Sequence, residues 1–414
     1  MTAIGALIGL ILAIILIIKK VAPAYAMLLG ALVGGLTGGV ALDATIAEMI
    51  DGIKSMSPAI VRVLAAGVLS GVLIKTGAAE TISNSIIKFL GEKNVYLALA
   101  LSTMFLCAAG VFIDVAVITV APIALTIGNR LGISKAVLLI AMIGGGKSGN
   151  IMSPNPNTII AAENMHAALS TVIFYNIIPA VVGLLATVLV VKMIPRKSVK
   201  RMEPVAVEEN KNLPPLWSSV MAPVVTLVLL ACRPLFGFTI DPLLAMPVGG
   251  IVGIICMKQT KNLFESMEYG LKKMSGVVIL LIGTGAIAGI IINSSLSEWI
   301  LEVLKSANIN DAFIAPISGA LMSAATASTT AGATLASASF ADTLLQVGVP
   351  AAWGAAMINA GATVLDHLPH GSFFHATGGV CELTFKERLK LVPYECLIGA
   401  VLAVFSTVMY LVCG

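Results

Sequence analysis

Apolar residues run along this chain in long uninterrupted stretches, with polar residues gathered between them. Runs without Asp, Glu, Lys or Arg recur at Met1–Ile18, Val21–Leu42, Asn212–Cys232, Pro242–Met257, Met274–Ser297, Ala312–Ala341, Thr343–Leu365 and Cys396–Gly414. A helix needs about 20 apolar residues to cross a bilayer. The pattern predicts an all-α polytopic membrane protein. A transmembrane β-barrel would instead show short alternating segments. Composition agrees: 11% of residues are charged, against about 25% in soluble proteins. The first apolar run precedes Lys19 and Lys20, the reverse of a cleavable signal, so Gly5–Ile18 is expected to be a retained span.

The chain also matches itself. IAEMIDGIKSMS (Ile46–Ser57) aligns without gaps on FESMEYGLKKMS (Phe264–Ser275), at an offset of 218 residues. At the same offset Gly67 meets Gly285, Gly71 meets Gly289 and Ile74 meets Ile292. Charge gives the expected orientation of the copies, because Lys and Arg concentrate in cytoplasmic loops. Asp43–Lys54 carries three acids and one lysine, whereas Lys258–Lys273 carries four lysines and two acids. The same position is acidic in one copy and basic in the other, which predicts inverted repeats. The first repeat is expected at 1–194, a cytoplasmic linker at 195–214 and the second repeat at 215–414. Spans are expected near 3–20, 24–42, 58–77, 134–160 and 168–193, and near 216–234, 242–257, 276–294, 349–376 and 393–412. Both termini would face outward. Val95–Ile127 and Ala312–Leu345 read as re-entrant hairpins, although two full spans each would keep the same topology. Asp43–Lys54, Leu263–Lys273 and Phe385–Leu391 read as amphipathic interfacial helices.

Inverted repeats with interrupted helices mark secondary transporters, with the substrate held at mid-membrane. The fourth span of each repeat carries an interruption. In GGGKSGNIMSPNPNTIIAA (Gly144–Ala162) the prolines of Ser153-Pro154-Asn155-Pro156-Asn157-Thr158 cannot continue a helix. A broken helix exposes an N-terminus, whose free amides and dipole suit a carboxylate. Asn155, Asn157 and Thr158 add neutral donors and acceptors for hydroxyl groups, and Lys147 and Asn150 lead into the break. A simple kink held by hydrogen bonds is the blander reading. The second interruption lies in LDHLPHGSFFHATGG (Leu365–Gly379), with Asp366, His367 and His370. Histidine relays protons near neutral pH. No thiolate or second carboxylate stands near enough in sequence to suggest a metal.

The hairpin tips form the other constellation. Thr326, Ser328, Thr329 and Thr330 make one tip rich in hydroxyls, where packing by small residues is the competing reading. Asp114 stands alone in a run without other charge from Asn94 to Gly128. An intramembrane carboxylate is costly and usually functional. It could carry a proton or pair with Lys147. Arg62 and Lys75 lie near span ends, where they can snorkel. His166 and His375 read as interface residues. The six cysteines are scattered without a CxxC pair, and no metal, cofactor or nucleic-acid site is indicated.

With these residues in view, the chain resembles the gluconate permease (GntP) family, within a wider superfamily of inverted-repeat carboxylate transporters. Gly91–Ile123 resembles the family segment with an acid after a Val-Phe pair, Asp114 standing where glutamate is usual. SPNPNTIIAA resembles its Pro-His-Pro stretch, with Asn155 for the histidine. DHLPHGSFF resembles its Ser-His-Val-Asn-Asp-x-Gly-Phe-Trp stretch, keeping His367 and replacing the Asn-Asp pair by Pro369 and His370. The resemblance implies proton-coupled uptake of a sugar acid across a bacterial inner membrane, by elevator motion of one part against a dimeric scaffold.

The leading expectation is therefore a proton-coupled symporter of a small hydroxylated carboxylate. Lys147, Asn150, Ser153, Asn155, Asn157, Thr158, Ser328, Thr329 and Thr330 would bind it. Asp114, Asp366, His367 and His370 would carry coupling protons. Sodium coupling with a di- or tricarboxylate is the closest alternative, since Asn, Ser and backbone carbonyls at a broken helix can cage sodium. A passive channel and a membrane enzyme are the more distant ones. No nucleophile, base and orienting group recur at usable spacing for the latter.

Overall fold

The computed structural model describes residues 1–194, 213–232, 240–296, 299, 310–369 and 371–414, and all that follows concerns these. Every regular element among them is helical. The first half holds α1 (Ala3–Ile18), α2 (Pro23–Thr37), α3 (Leu42–Ser55), α4 (Ser57–Lys75), α5 (Ala78–Leu90), α6 (Val95–Ala108), α7 (Ile113–Leu131), α8 (Lys135–Ile151), α9 (Pro156–Asn164), α10 (Leu169–Tyr175) and α11 (Ile177–Met193). The second holds α12 (Leu216–Ser219), α13 (Met221–Leu230), α14 (Pro242–Cys256), α15 (Leu263–Ile292), α16 (Ile314–Thr326), α17 (Thr329–Gln346), α18 (Ala351–Gly361), α19 (Ser372–Val380), α20 (Phe385–Leu389) and α21 (Val392–Cys413). Most of the expected linker, 195–212, and His370 lie outside the described residues.

By length and composition five helical stretches can cross a bilayer, six if α10 and α11, bent by 41° at their junction, count as one. The spans expected near 3–20, 24–42, 216–234 and 242–257 are apolar helices shorter than that. The hairpin arms α6 and α16 have 14 and 13 residues. At 1.5 Å per residue each is about 20 Å long, short of the roughly 30 Å hydrocarbon core, whereas the second arms α7 and α17 have 19 and 18 residues and α7 is one of the five stretches able to cross. Their turns are tight. Gly110 takes φ +98° in one and Ala327 φ +47° in the other.

The fourth span of each half is interrupted. Met152–Asn155 separates α8 from α9, and 362–371 separates α18 from α19. Proline at the first helical position restarts α9, where its missing N–H costs nothing. One expectation needs correction. The interfacial helix Leu263–Lys273 and the following span form one continuous 30-residue helix, α15, whereas α3 and α4 are separate. Pro58 opens α4, and its counterpart at the 218-residue offset is Gly276. Proline disfavours helix in the residue before it; glycine does not stop one.

Two groups of helices emerge. One comprises α1–α4 and α13–α15, each packed on its neighbours; the other comprises the hairpins, the broken helices, α11 and α21. Within the first group α15 lies against α3 and α4 at contacts only glycine permits. A Cβ on Gly71 would sit 2.0 Å from Ser266 O, and one on Gly289 would sit 2.2 Å from Glu48 O. Ser266 and Gly289 are the offset equivalents of Glu48 and Gly71, so the contact is reciprocal. Within the second group α8 is buried from Val137 to Ile151. The groups meet through α15 on α17, α4 on α9 and α1 on α16.

Candidate functional site

Between the two groups lies a cavity of about 790 Å³. The second group contributes Phe112, Ile113 and Asp114 from one hairpin tip, Thr326–Ala331 from the other, Asn150 and Asn157 from the first broken span, and Asp366 and Gly371–Phe373 from the second. The facing wall is the α1–α2 turn with Lys20, and Lys273, Gly276 and Val277 of α15. His375 also lines it. Both interruptions and both tips singled out in the sequence thus border one space.

What faces that space is largely helix N-termini. The first turns of α7, α9, α17 and α19 all contribute lining residues. The first amides of a helix have no intrahelical acceptor. At α7, α9 and α19 no side chain caps them. At α17 the Ser328 hydroxyl accepts from Ala331 N at 3.3 Å. Four positive dipole ends directed at one cavity make it suited to an anion. The hydroxyls of the Ser328–Thr330 tip add donors and acceptors of the kind a polyol needs.

The polar residues of the first break divide by location. Asn150 and Asn157 line the cavity, whereas Ser153, Asn155 and Thr158 are buried and hold the break together. Ser153 Oγ donates to Asn150 O at 2.7 Å, and Asn155 Nδ2 donates to Asn150 Oδ1 at 2.8 Å. Asn157 Nδ2 donates to Asn359 Oδ1 at 2.7 Å, and Asn359 Nδ2 donates to Thr158 Oγ1 at 3.0 Å. Asn359 also donates to Ile151 O at 3.2 Å, one of the carbonyls freed where α8 ends. Asn359 was not foreseen. Its signal in the sequence is a lone amide inside AAWGAAMINAG.

Lys147 lies behind the cavity, fully buried about one turn before the C-terminal end of α8. Its ammonium donates to Asp366 Oδ1 at 2.6 Å and to Thr363 O, and lies 3.0 Å from His367 Nδ1. Three acceptors meet its three donors. The alternative pairing of Lys147 with Asp114 is therefore not what forms. The other oxygen of Asp366 accepts from the Thr329 hydroxyl at 2.5 Å, which ties the second break to the hairpin tip. His367 Nδ1 lies 3.0 Å from Lys147 Nζ and from Asp366 Oδ1 alike, so the ring either accepts from the lysine or, protonated at Nδ1, donates to the carboxylate, while Nε2 faces Val392 O at 3.1 Å. Asp114 makes no hydrogen bond or ion pair with the described residues, and its carboxylate borders the cavity.

Two further charged residues belong to this neighbourhood. Arg388 is buried and pairs with both oxygens of Glu395, itself buried, and Glu395 lies 4.0 Å from His367 Nδ1. The Phe385–Leu391 stretch, expected at the interface, therefore turns its arginine inward. The chain offers a faint hint in the seven-residue spacing, which sets the two charges on consecutive helices. Arg62, expected to reach out at a span end, instead meets Glu163 and Asp241.

The comparisons with known proteins agree with this architecture. The family model described as GntP family permease matches residues 1–413. An uncharacterized transporter of Haemophilus influenzae is 53% identical over 370 residues, covering 89% of this chain and 88% of that one. A gluconate permease of Zymomonas mobilis is 23% identical over 360 residues, 78% of each chain. The Gnt-II system L-idonate transporter of Escherichia coli is 23% identical over 373 residues, 82% of this chain and 83% of that one. Among solved structures, the YdaH transporter of Alcanivorax borkumensis, described as having an unusual topology, superposes with a TM-score of 0.64 over 90% of this chain and 88% of that chain, at 12% identity. At that identity the likeness concerns the fold.

Proposed function

Given that the chain belongs to the GntP family of permeases, we propose that it is a proton-coupled symporter of a sugar acid such as gluconate or idonate. The carrying observation is the convergence of four helix N-termini and a hydroxyl-rich tip on one cavity that is also lined by Asp114, a carboxylate without a partner among the described residues. The carboxylate of the substrate would accept from the free amides, and its hydroxyls would meet Asn150, Asn157, Ser328 and Thr330. Lys147 supports the site from behind, holding Asp366 in place for Thr329. Its ammonium is already occupied, so among the described residues the cations left at the cavity are Lys20 and Lys273.

Asp114 opposes an anion in the same cavity unless it takes up a proton. That makes proton binding and substrate binding mutually favourable, which is the reciprocal linkage symport requires. His367 is the second candidate, because its ring lies against both Lys147 and Asp366 and a proton on Nδ1 would have the carboxylate as acceptor.

The mouth carries Lys20 and Lys273, and the cytoplasmic bias of lysine supports a cavity open to the cytoplasm. The reciprocal glycine contacts between α3–α4 and α15 are of the kind a two-fold relation produces, in keeping with inverted repeats in a bacterial inner membrane. The second group is read as the moving part of an elevator and the first as the scaffold, assembled as a homodimer.

Proteoliposomes test the reading. Gluconate should accumulate when a proton gradient is imposed, with choline replacing sodium throughout. Asp114→Asn should abolish accumulation while gluconate exchange across the membrane persists. Full accumulation by Asp114→Asn would exclude Asp114 as the carrier, and a strict sodium requirement would favour the other coupling ion.

A further inference from the structure

Helix α9 separates two cavities. Asn157, in its first turn, borders the large cavity, whereas Ile159, Ala162 and Glu163 border a second one of about 320 Å³ with Arg62, His166 and Asp241. Arg62 belongs to α4 and Asp241 caps α14 through its hydrogen bond from Leu243 N, so both sit in the first group. The guanidinium engages Asp241 as a fork, Nε to Oδ1 at 3.1 Å and Nη2 to Oδ2 at 2.7 Å. Its remaining end, Nη1, donates to Glu163 Oε2. Glu163 rides on α9, in the second group. Every other ion pair among the described residues lies within one group. Arg62–Glu163 is therefore the charge contact that joins the two bodies, and it does so at the end of α9 away from the large cavity.

We propose that Arg62 and Glu163 form the latch that holds α9 against the first group while the large cavity is open. The proposal rests on the reading of the two groups as bodies that move against each other. When α9 moves, Glu163 leaves and Asp241 keeps Arg62 paired. The guanidinium is then neither stranded nor free to wander, because a bidentate carboxylate fixes its plane. The fork is the permanent half of the device and the single bond is the releasable half. A partly exposed pair suits this use, because breaking it carries a small cost compared with breaking a buried one.

Thiol labelling tests this. Gly276 lines the large cavity, and a Cβ there meets open space. Gly276→Cys, in full-length protein lacking the six native cysteines, reports through a membrane-impermeant maleimide whether that cavity is open. Glu163→Gln should slow labelling from the mouth side by up to about fivefold, the largest equilibrium shift that losing one partly exposed ion pair allows. Glu265→Gln, which breaks the Lys75 pair inside the first group, should leave the rate unchanged. If Glu163→Gln fails to reach the membrane, Glu163→Asp, too short to hold the contact, should show the same slowing. Labelling that responds to added gluconate but not to either Glu163 substitution overturns the latch alone. Labelling indifferent to gluconate in every variant overturns the moving-body reading, and the latch with it.

Discussion

The break in the first half is neutral: Ser153 and Asn155 both donate to Asn150, and Asn359 from the second half donates to Ile151 O and Thr158 Oγ1. The break in the second half is longer and charged, with Asp366 and His367 gathered around a lysine that comes from the first half. The halves share an order of helices, yet only one break depends on charges supplied by the other. Uncharged polar groups can satisfy a broken helix locally, because each needs a partner only at hydrogen-bond distance. A buried charge cannot be satisfied so cheaply and must find its opposite wherever the fold brings one. One break is thereby held by neutral hydrogen bonds, and the other by a buried charge pair.

Breaking the charged side should have the larger consequence. Asp366→Leu leaves Lys147 buried without its counter-ion and should lower stability by about 3–5 kcal/mol, the usual cost of removing one partner of a buried pair. Thermal unfolding of the detergent-solubilised protein would report it. The double variant Lys147→Met with Asp366→Leu should regain most of that loss. If it does not, the pair serves packing more than charge balance. Asn155→Leu, at the neutral break, should cost about 1–3 kcal/mol through Asn150 Oδ1 left without its donor.

The second contrast between the halves, Pro58 against Gly276, gives the next effect. Gly276→Pro places a proline in the continuous helix α15 and should cost about 3 kcal/mol. Pro58→Gly should cost no more than about 1 kcal/mol, chiefly by loosening the unfolded chain. Equal losses at the two positions would mean that the junction between α3 and α4 is set by packing and not by proline.

Smallest in stability is the hairpin tip. Ser328→Gly should change unfolding by a few tenths of a kcal/mol, since glycine is a tolerable N-cap. Gluconate uptake measured at low concentration should nevertheless fall several-fold if the hydroxyl meets substrate. Unchanged uptake would move the binding role from the tip to the broken spans.

Residue types alone settled a good deal. Long apolar runs made a helical membrane chain unavoidable, because backbone groups in lipid must bond within their own segment. Prolines at 154 and 156 marked one interruption, Asp366 and His367 marked the other, and hydroxyls and a lone acid marked the tips, each through a local rule that neighbours in sequence enforce. Which polar group faces the cavity was not local. Asn150 and Asn157 line it while Asn155 and Thr158 do not, and Lys147 is consumed by Asp366 instead of Asp114. Those outcomes depend on which helix lies opposite, over separations of about 200 residues. Long separations also set Asn359, and Arg62 between Glu163 and Asp241, whereas Arg388 and Glu395 are only seven residues apart. A sequence lists the charges that must be paired in a membrane; only the packing of the two groups chooses the pairs.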